Sequence, residues 1–178
     1  GVEITLAAML APQEQLIPQH LHGGRGAAGR SDPKYLVVGG AVFVEVSVPF
    51  LEAAFGNYWE LDAPNDIVAA FERQKADRAD HKLVVLAKVL AHSKTLGYDD
   101  MEHSILKSVD GQEVRNLAHL AEILHNPDNI NGAGKVHETE FCCFELSENQ
   151  KMVFEWDSMV RSTQEVCQEH GIPSPIAL

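Results

Sequence analysis

Gly39-Gly40, followed at once by Ala41-Val42-Phe43, is the combination of residue types with the clearest chemical use in this sequence. Two glycines let backbone N–H groups converge, and converging amides can receive an anion such as the carboxylate that ends a peptide. An extended peptide held there would add to the neighbouring strand and lie between that strand and an amphipathic helix. Val38, Gly39, Gly40, Ala41, Val42 and Phe43 would form the loop and strand, and Leu117, Leu120, Ala121 and Leu124 the helix. The plainer use of a glycine pair before a strand is a turn or bulge. One face of the helix must also fill the core, and spacing does not decide which of its residues reaches a groove.

Other chemistries find less support. Nine histidines invite a metal reading, but His20-Leu21-His22 falls in an expected loop. His119 and His125 are too far apart along one helix to share a face at ligand spacing, and the sequence contains neither HExxH nor CxxC. There is no GxSxG, no GNSGG-like serine loop, no P-loop and no GxGxxG. A nucleophilic pair of Cys143 with His137 or His170 stays open, since such pairs assemble in space, but nothing singles it out. Three cysteines, with Cys142 and Cys143 adjacent, do not make a disulfide framework. Neighbouring strand residues face opposite ways, so at least one of that pair is expected to be a small buried hydrophobe. No cofactor is expected.

The net charge of −12 argues against nucleic acid, whose phosphates call for surplus Lys and Arg, and against docking on an anionic membrane by charge. No apolar run approaches transmembrane length, so membrane insertion is not expected. The N-terminus lacks a basic region followed by an apolar block, and no address is visible.

These residues need elements to position them, and Ile105 to Asn126 (ILKSVDGQEVRNLAHLAEILHN) is the best-specified stretch. Ile105, Leu106 and Val109 suit a strand, Asp110-Gly111 a tight turn, and Gln112-Glu113-Val114 a short return. Asn116 stands where a helix N-cap should, and Leu117, Leu120, Ala121 and Leu124 repeat at helical spacing before Asn126-Pro127. Upstream, Val2, Ile4 and Leu6 alternate as in a strand, and Gly23 to Gly29 reads as a flexible linker. Tyr35–Val38 and Val42–Val46 read as strands. Pro49 opens a helix that Gly56 closes, and a second helix is expected from Pro64 to Arg73. Leu83 to Leu90 is a near-continuous apolar run, as in a central strand. Residues 126–134 read as a polar loop, and 140–146 and 151–156 as a hairpin. Met159, Val160, Thr163, Val166 and Cys167 have helical spacing, ending at Gly171, and Pro173-Ser174-Pro175 reads as a tail leaving the domain. The expected architecture is α+β: five or six strands in a small, mostly antiparallel sheet or partial barrel capped by the Asn116 helix.

Ser108-Val109-Asp110-Gly111-Gln112-Glu113-Val114 followed by Asn116-Leu117-Ala118-His119-Leu120 resembles the strand, "VNG" turn and "NLxxL" helix of PDZ domains in the Deg (HtrA, Do-like) serine proteases. Tyr35 to Phe43, Val85 to Ala91, Leu96 to Met101 and Glu169 to Ser174 are similar to segments of the plant and algal branch, in its divergent second PDZ domain. Leu16-Ile17-Pro18-Gln19-His20 is similar to the stretch leading into that domain. The resemblance runs from about Val2 to Ser174.

It implies a division into the end of a preceding PDZ domain with linker (1–32), a PDZ-like domain (33–174) and a tail (175–178). Residues 23–32 and 126–135 look like insertions relative to the family. No trypsin-like protease domain is present in the chain, so no catalytic triad carries over. The resemblance implies an ATP-independent serine endopeptidase as parent and a non-catalytic module here, serving oligomer assembly and access to the protease. Its partners would be the preceding PDZ domain, the protease domain and further copies of the protein, with its groove holding an internal segment. The competing expectation is a module that binds substrate C-termini or unfolded chains, and the third a stand-alone cysteine hydrolase. GYDDM and GIPS lean towards a plastid (stromal) form, with the nucleus as the alternative.

Overall fold

A computed structural model describes residues 15–19, 34–73, 80–125 and 140–178. The expected strand at residues 2–6, the glycine-rich stretch and the Asn-rich loop lie outside these residues.

Tyr35–Val38 (β1) and Ala41–Glu45 (β2) are joined by the two glycines as a hairpin. Ser47 caps the following helix, Val48–Phe55 (α1), by accepting the Phe50 N–H at 3.3 Å, with Pro49 in its first turn. A one-turn helix, Trp59–Asp62 (α2), and Asn65–Arg73 (α3) follow. Val84–Val89 (β3) then pairs antiparallel with β2. Leu106–Val109 (β4), the Asp110-Gly111 turn and Gln112–Glu113 (β5) lead into Leu117–His125 (α4), where Asn116 Oδ1 accepts the His119 N–H at 2.7 Å as the expected cap. Phe141–Leu146 (β6) and Lys151–Glu155 (β7) form the second long hairpin, and Trp156–Glu169 (α5) begins where β7 stops.

Among the described residues the strands form two four-stranded antiparallel sheets rather than one sheet of five or six. The first runs β3-β2-β1 and ends on Ile176–Ala177 (β8), and the second runs β5-β4-β6-β7. They meet at a bridge between Val85 and Ile105, beside which Leu86 exchanges backbone bonds with His103 and Ser104. The sheets do not close into a barrel, and the fold is α+β.

Two differences from expectation have clear causes. The apolar run around β3 marks a strand at the end of its four-stranded sheet rather than at the middle, joined beyond that edge to residues 103–105. It is apolar because both faces are covered: Val84 and Leu86 enter the main core, while Val85 enters a second core on the opposite side. The tail does not leave the domain either. Ile176–Ala177 (β8) returns as an edge strand beside Tyr35 and Leu36, and the Pro175 carbonyl accepts the Val37 N–H at 2.7 Å. β1 has backbone groups on its outer side that need partners, and these residues supply them.

The main core lies where the sheets face α4 and α5, with Phe144 stacked on Phe43 (5.5 Å between centroids) and edge-on to Phe154 (5.9 Å). The second core is smaller. Val46, Val85, Leu51, Trp59 and Ile67 pack there under α1–α3, together with Leu16 and Ile17.

Candidate functional site

The site begins with the glycine pair. Gly39 has φ +62° and Gly40 φ +106°, conformations that side-chain-bearing residues seldom adopt, and together they turn the chain within two residues so that Val38 faces Ala41. That turn is enclosed. A Cβ on Gly39 would sit 2.9 Å from Cε1 of the Phe154 ring. One on Gly40 would sit 2.6 Å from Cγ2 of Thr95 and 3.3 Å from the Leu90 carbonyl oxygen.

Two of the turn's polar groups are engaged as well. The Gly39 N–H donates to the Thr163 hydroxyl at 2.7 Å, and that hydroxyl donates in turn to the Met159 carbonyl of its own helix. The Gly40 carbonyl accepts the Leu90 N–H at 2.8 Å. Thr95 Oγ1 donates to the Leu90 carbonyl and accepts the His92 N–H, and His92 Nε2 lies 3.1 Å from Glu165 of α5. The glycine turn is thus held between α5 on one side and residues 90–95 on the other.

β2 is bonded along both edges. On one side Leu36, Val37 and Val38 of β1 pair with Phe43, Val42 and Ala41. On the other, Val89 to Val84 of β3 pair with Ala41 to Glu45. Neither edge is open to an added strand in this arrangement. The sequence gives no sign of this, because a glycine pair that serves a ligand loop and one that closes a hairpin look alike.

Leu117, Leu120, Ala121 and Leu124 are all buried in the main core, as are Val38, Ala41 and Phe43. Gly39 and Gly40 are buried beside them and Val42 is half-buried. α4 leaves Ala118 and Glu122 exposed and His119 half-buried. Its N-terminus is also occupied, with Glu45 Oε1 of β2 accepting the Leu117 N–H at 3.1 Å. The structure therefore gathers the sequence-selected residues into one packed region. Sequence reasoning missed the partners that close it: Thr163, visible only as part of a helical stripe, Phe154, and Thr95, which carried no signal.

The cysteines are not poised for nucleophilic work. Burial pushes the Cys142 thiol far above its ordinary value, and the charge and hydrogen bond of Asp110 add to this. Burial also raises Cys143; Glu145 and Asp110 reinforce the shift against Lys151. An activated thiolate needs the opposite. His170 is exposed at the end of α5, and His137 lies outside the described residues. His119 is committed locally, with Nδ1 accepting the Arg115 N–H at 3.3 Å and Nε2 lying 3.4 Å from Gln112.

Residues 26–177 match the sequence pattern of a family described as PDZ domain. Over 174 residues the chain is 25% identical to protease Do-like 2, chloroplastic, of Arabidopsis thaliana, a match covering 98% of this chain and 25% of that protein. It is 23% identical over 145 residues to putative protease Do-like 11, mitochondrial, of the same plant, covering 82% of this chain and 20% of that protein. The figures for putative protease Do-like 12, mitochondrial, also of Arabidopsis thaliana, are 22% over 148 residues, with 80% and 22% covered. The chain spans between a fifth and a quarter of the length of these relatives.

Proposed function

The chain belongs to the PDZ domain family, and on that premise we propose that it is a non-catalytic module of a Do-like protease that serves assembly and access rather than capture of peptide ends. The parent would be an ATP-independent serine endopeptidase, with its nucleophile in a part of the protein outside this chain. The module's partners would be the protease part and other copies of the same protein.

One observation carries this reading. The Gly39 N–H, which a peptide carboxylate would use, is bonded to Thr163, and the strand a peptide would extend already has two neighbours. Capture of a free C-terminus would require α5 to lift from the turn and β1 to leave β2. That would break backbone hydrogen bonds and expose part of the main core. A module closed in this way suits fixed contacts better than transient ones.

The test is direct. Fluorescent peptides with free and amidated C-termini, titrated against the purified chain, are expected to show no sub-micromolar binding that depends on the carboxylate. Carboxylate-dependent binding in that range would favour the alternative, a module that delivers substrate ends to the protease. The plastid is the compartment we infer, supported by the chloroplastic relative that matches nearly the whole chain.

A further inference from the structure

The family match begins at residue 26, yet Ile17 is completely buried and Leu16 nearly so. Both lie in the second core, against a surface built by Val46, Leu51, Trp59 and Ile67. A short piece of chain from outside the family's boundary therefore completes a core inside it. Polar contacts fix its register. The Pro18 carbonyl accepts the Val48 N–H at 3.0 Å, meeting one of the donors left over at the start of α1. Lys82 Nζ donates to the Gln15 carbonyl at 2.8 Å. Two inserted apolar side chains and two backbone carbonyls held by the receiving surface amount to recognition of a short peptide, here Leu-Ile-Pro.

We infer that the groove under α1 and α3 is an exchangeable docking site whose partner is residues 15–19 of a second copy of this chain. The apolar packing of Leu16 and Ile17 and the bonds to the Pro18 and Gln15 carbonyls join residues 15–19 to the domain, and the same residues of a second copy would make the same contacts. Residues 20–33 join the two and can reach at most about 45–50 Å when extended, so the segment has chain enough to seat elsewhere. Exchange of an identical element creates an intermolecular contact without a new interface, a low-cost route to association. Within one copy the segment competes at an effective concentration on the order of millimolar, so exchange grows where copies are held close together. This inference rests on the assembly reading above and names a contact that would serve it.

The test uses the whole chain and a labelled, C-terminally amidated peptide of residues 12–20, which cannot bind by carboxylate capture. Ile17→Asp expels the chain's own segment and leaves the groove vacant. This variant is expected to bind the peptide at least about tenfold more tightly than the unaltered chain, whose own segment competes. A folded Ile17→Asp chain that does not take the peptide, or that binds it no better than the unaltered chain, would overturn the inference. If the variant fails to fold, a protease site placed between residues 20 and 33 keeps Ile17 intact. After cutting, the N-terminal piece should give way to excess labelled peptide, and exclusion of the peptide would count equally against the inference. Light scattering on the unaltered chain should then show dimer growing as concentration approaches the millimolar range, at salt high enough to screen the net charge of −12 on each copy. A mass of one chain throughout that range would confine the contact to a single copy and overturn exchange.

Discussion

The Thr163 hydroxyl accepts the Gly39 N–H at 2.7 Å across a separation of 124 residues, so a side chain of α5 ties down the turn between β1 and β2. The bond is part-buried, and losing the acceptor leaves an amide with poor access to water. Thr163→Val keeps the side chain's shape and should cost about 1–3 kcal/mol in urea unfolding, as for other stranded donors. Thr163→Ser keeps the hydroxyl and should recover most of that loss. Equal losses in the two variants would mean that the methyl, not the hydroxyl, holds the turn.

Gly40→Ala should be more damaging than an alanine at another positive-φ glycine. Gly56 has φ +83° with ψ −176°, a region kept almost wholly by glycine, but open space where its Cβ would stand, so Gly56→Ala meets only the backbone penalty of about 1–3 kcal/mol. At Gly40 the added carbon also meets Thr95 Cγ2 at 2.6 Å. Thr95→Ser removes that methyl while keeping the hydroxyl bonded to the Leu90 carbonyl. In a double-mutant cycle, Thr95→Ser should therefore relieve part of the Gly40→Ala loss, and strict additivity would refute the clash.

The local devices were legible in the sequence. Asp110-Gly111 and Asn116 act through residues within a few positions of themselves, and the structure has the turn and the cap where residue type put them. Gly39-Gly40 was legible as two glycines but not as a closed hairpin, because its meaning depends on Phe154, Thr95 and Thr163. The same holds for the chain ends. Leu16-Ile17 is two apolar residues before a proline, and only the α1–α3 surface turns them into a plug. Ile176–Ala177 is two residues after a proline, and only the unfilled side of β1 turns them into a strand. Periodicity reports which face of an element is apolar and is silent on which distant partner covers it.

Among the described residues β7 is the outer strand of the second sheet, and Tyr98 covers part of its edge. The Tyr98 hydroxyl accepts the Val153 N–H and donates to the Val153 carbonyl, both at 3.1 Å, as a neighbouring strand would. The ring itself rests edge-on against Phe154. Tyr98→Phe should keep that packing and release both backbone groups. The expected result is faster hydrogen exchange at the Val153 amide, with a loss in global stability of no more than about 1.5 kcal/mol. Because a bare edge invites pairing, a rise in self-association at high concentration should accompany it. Unchanged exchange at Val153 would show that the hydroxyl does not guard the edge.

Acid should weaken the fold in two steps. Burial, with the nearby Arg115 charge, holds His119 below its ordinary value despite the opposing pull of Glu122 and Asp80. The folded state then binds fewer protons than the unfolded state, whose histidine titrates at about 6.5, so stability falls as pH drops through and below that value. Glu102 contributes lower down. Burial alone would raise it, but hydrogen bonds from Lys88 and the Val89 N–H, with the charges of Lys88 and His103, outweigh this and hold it below its ordinary value. Its contribution is complete above the unfolded carboxylate range and is lost as pH falls from about 4.5. Urea midpoints measured from pH 8 to 3.5 should separate the two. His119→Gln should flatten the decline between about pH 7 and 5.5 and leave the lower one in place. Lys88→Met should weaken the lower decline alone, since it removes the cation that holds Glu102 down. A His119→Gln curve parallel to that of the unaltered chain would show that another group governs the first step.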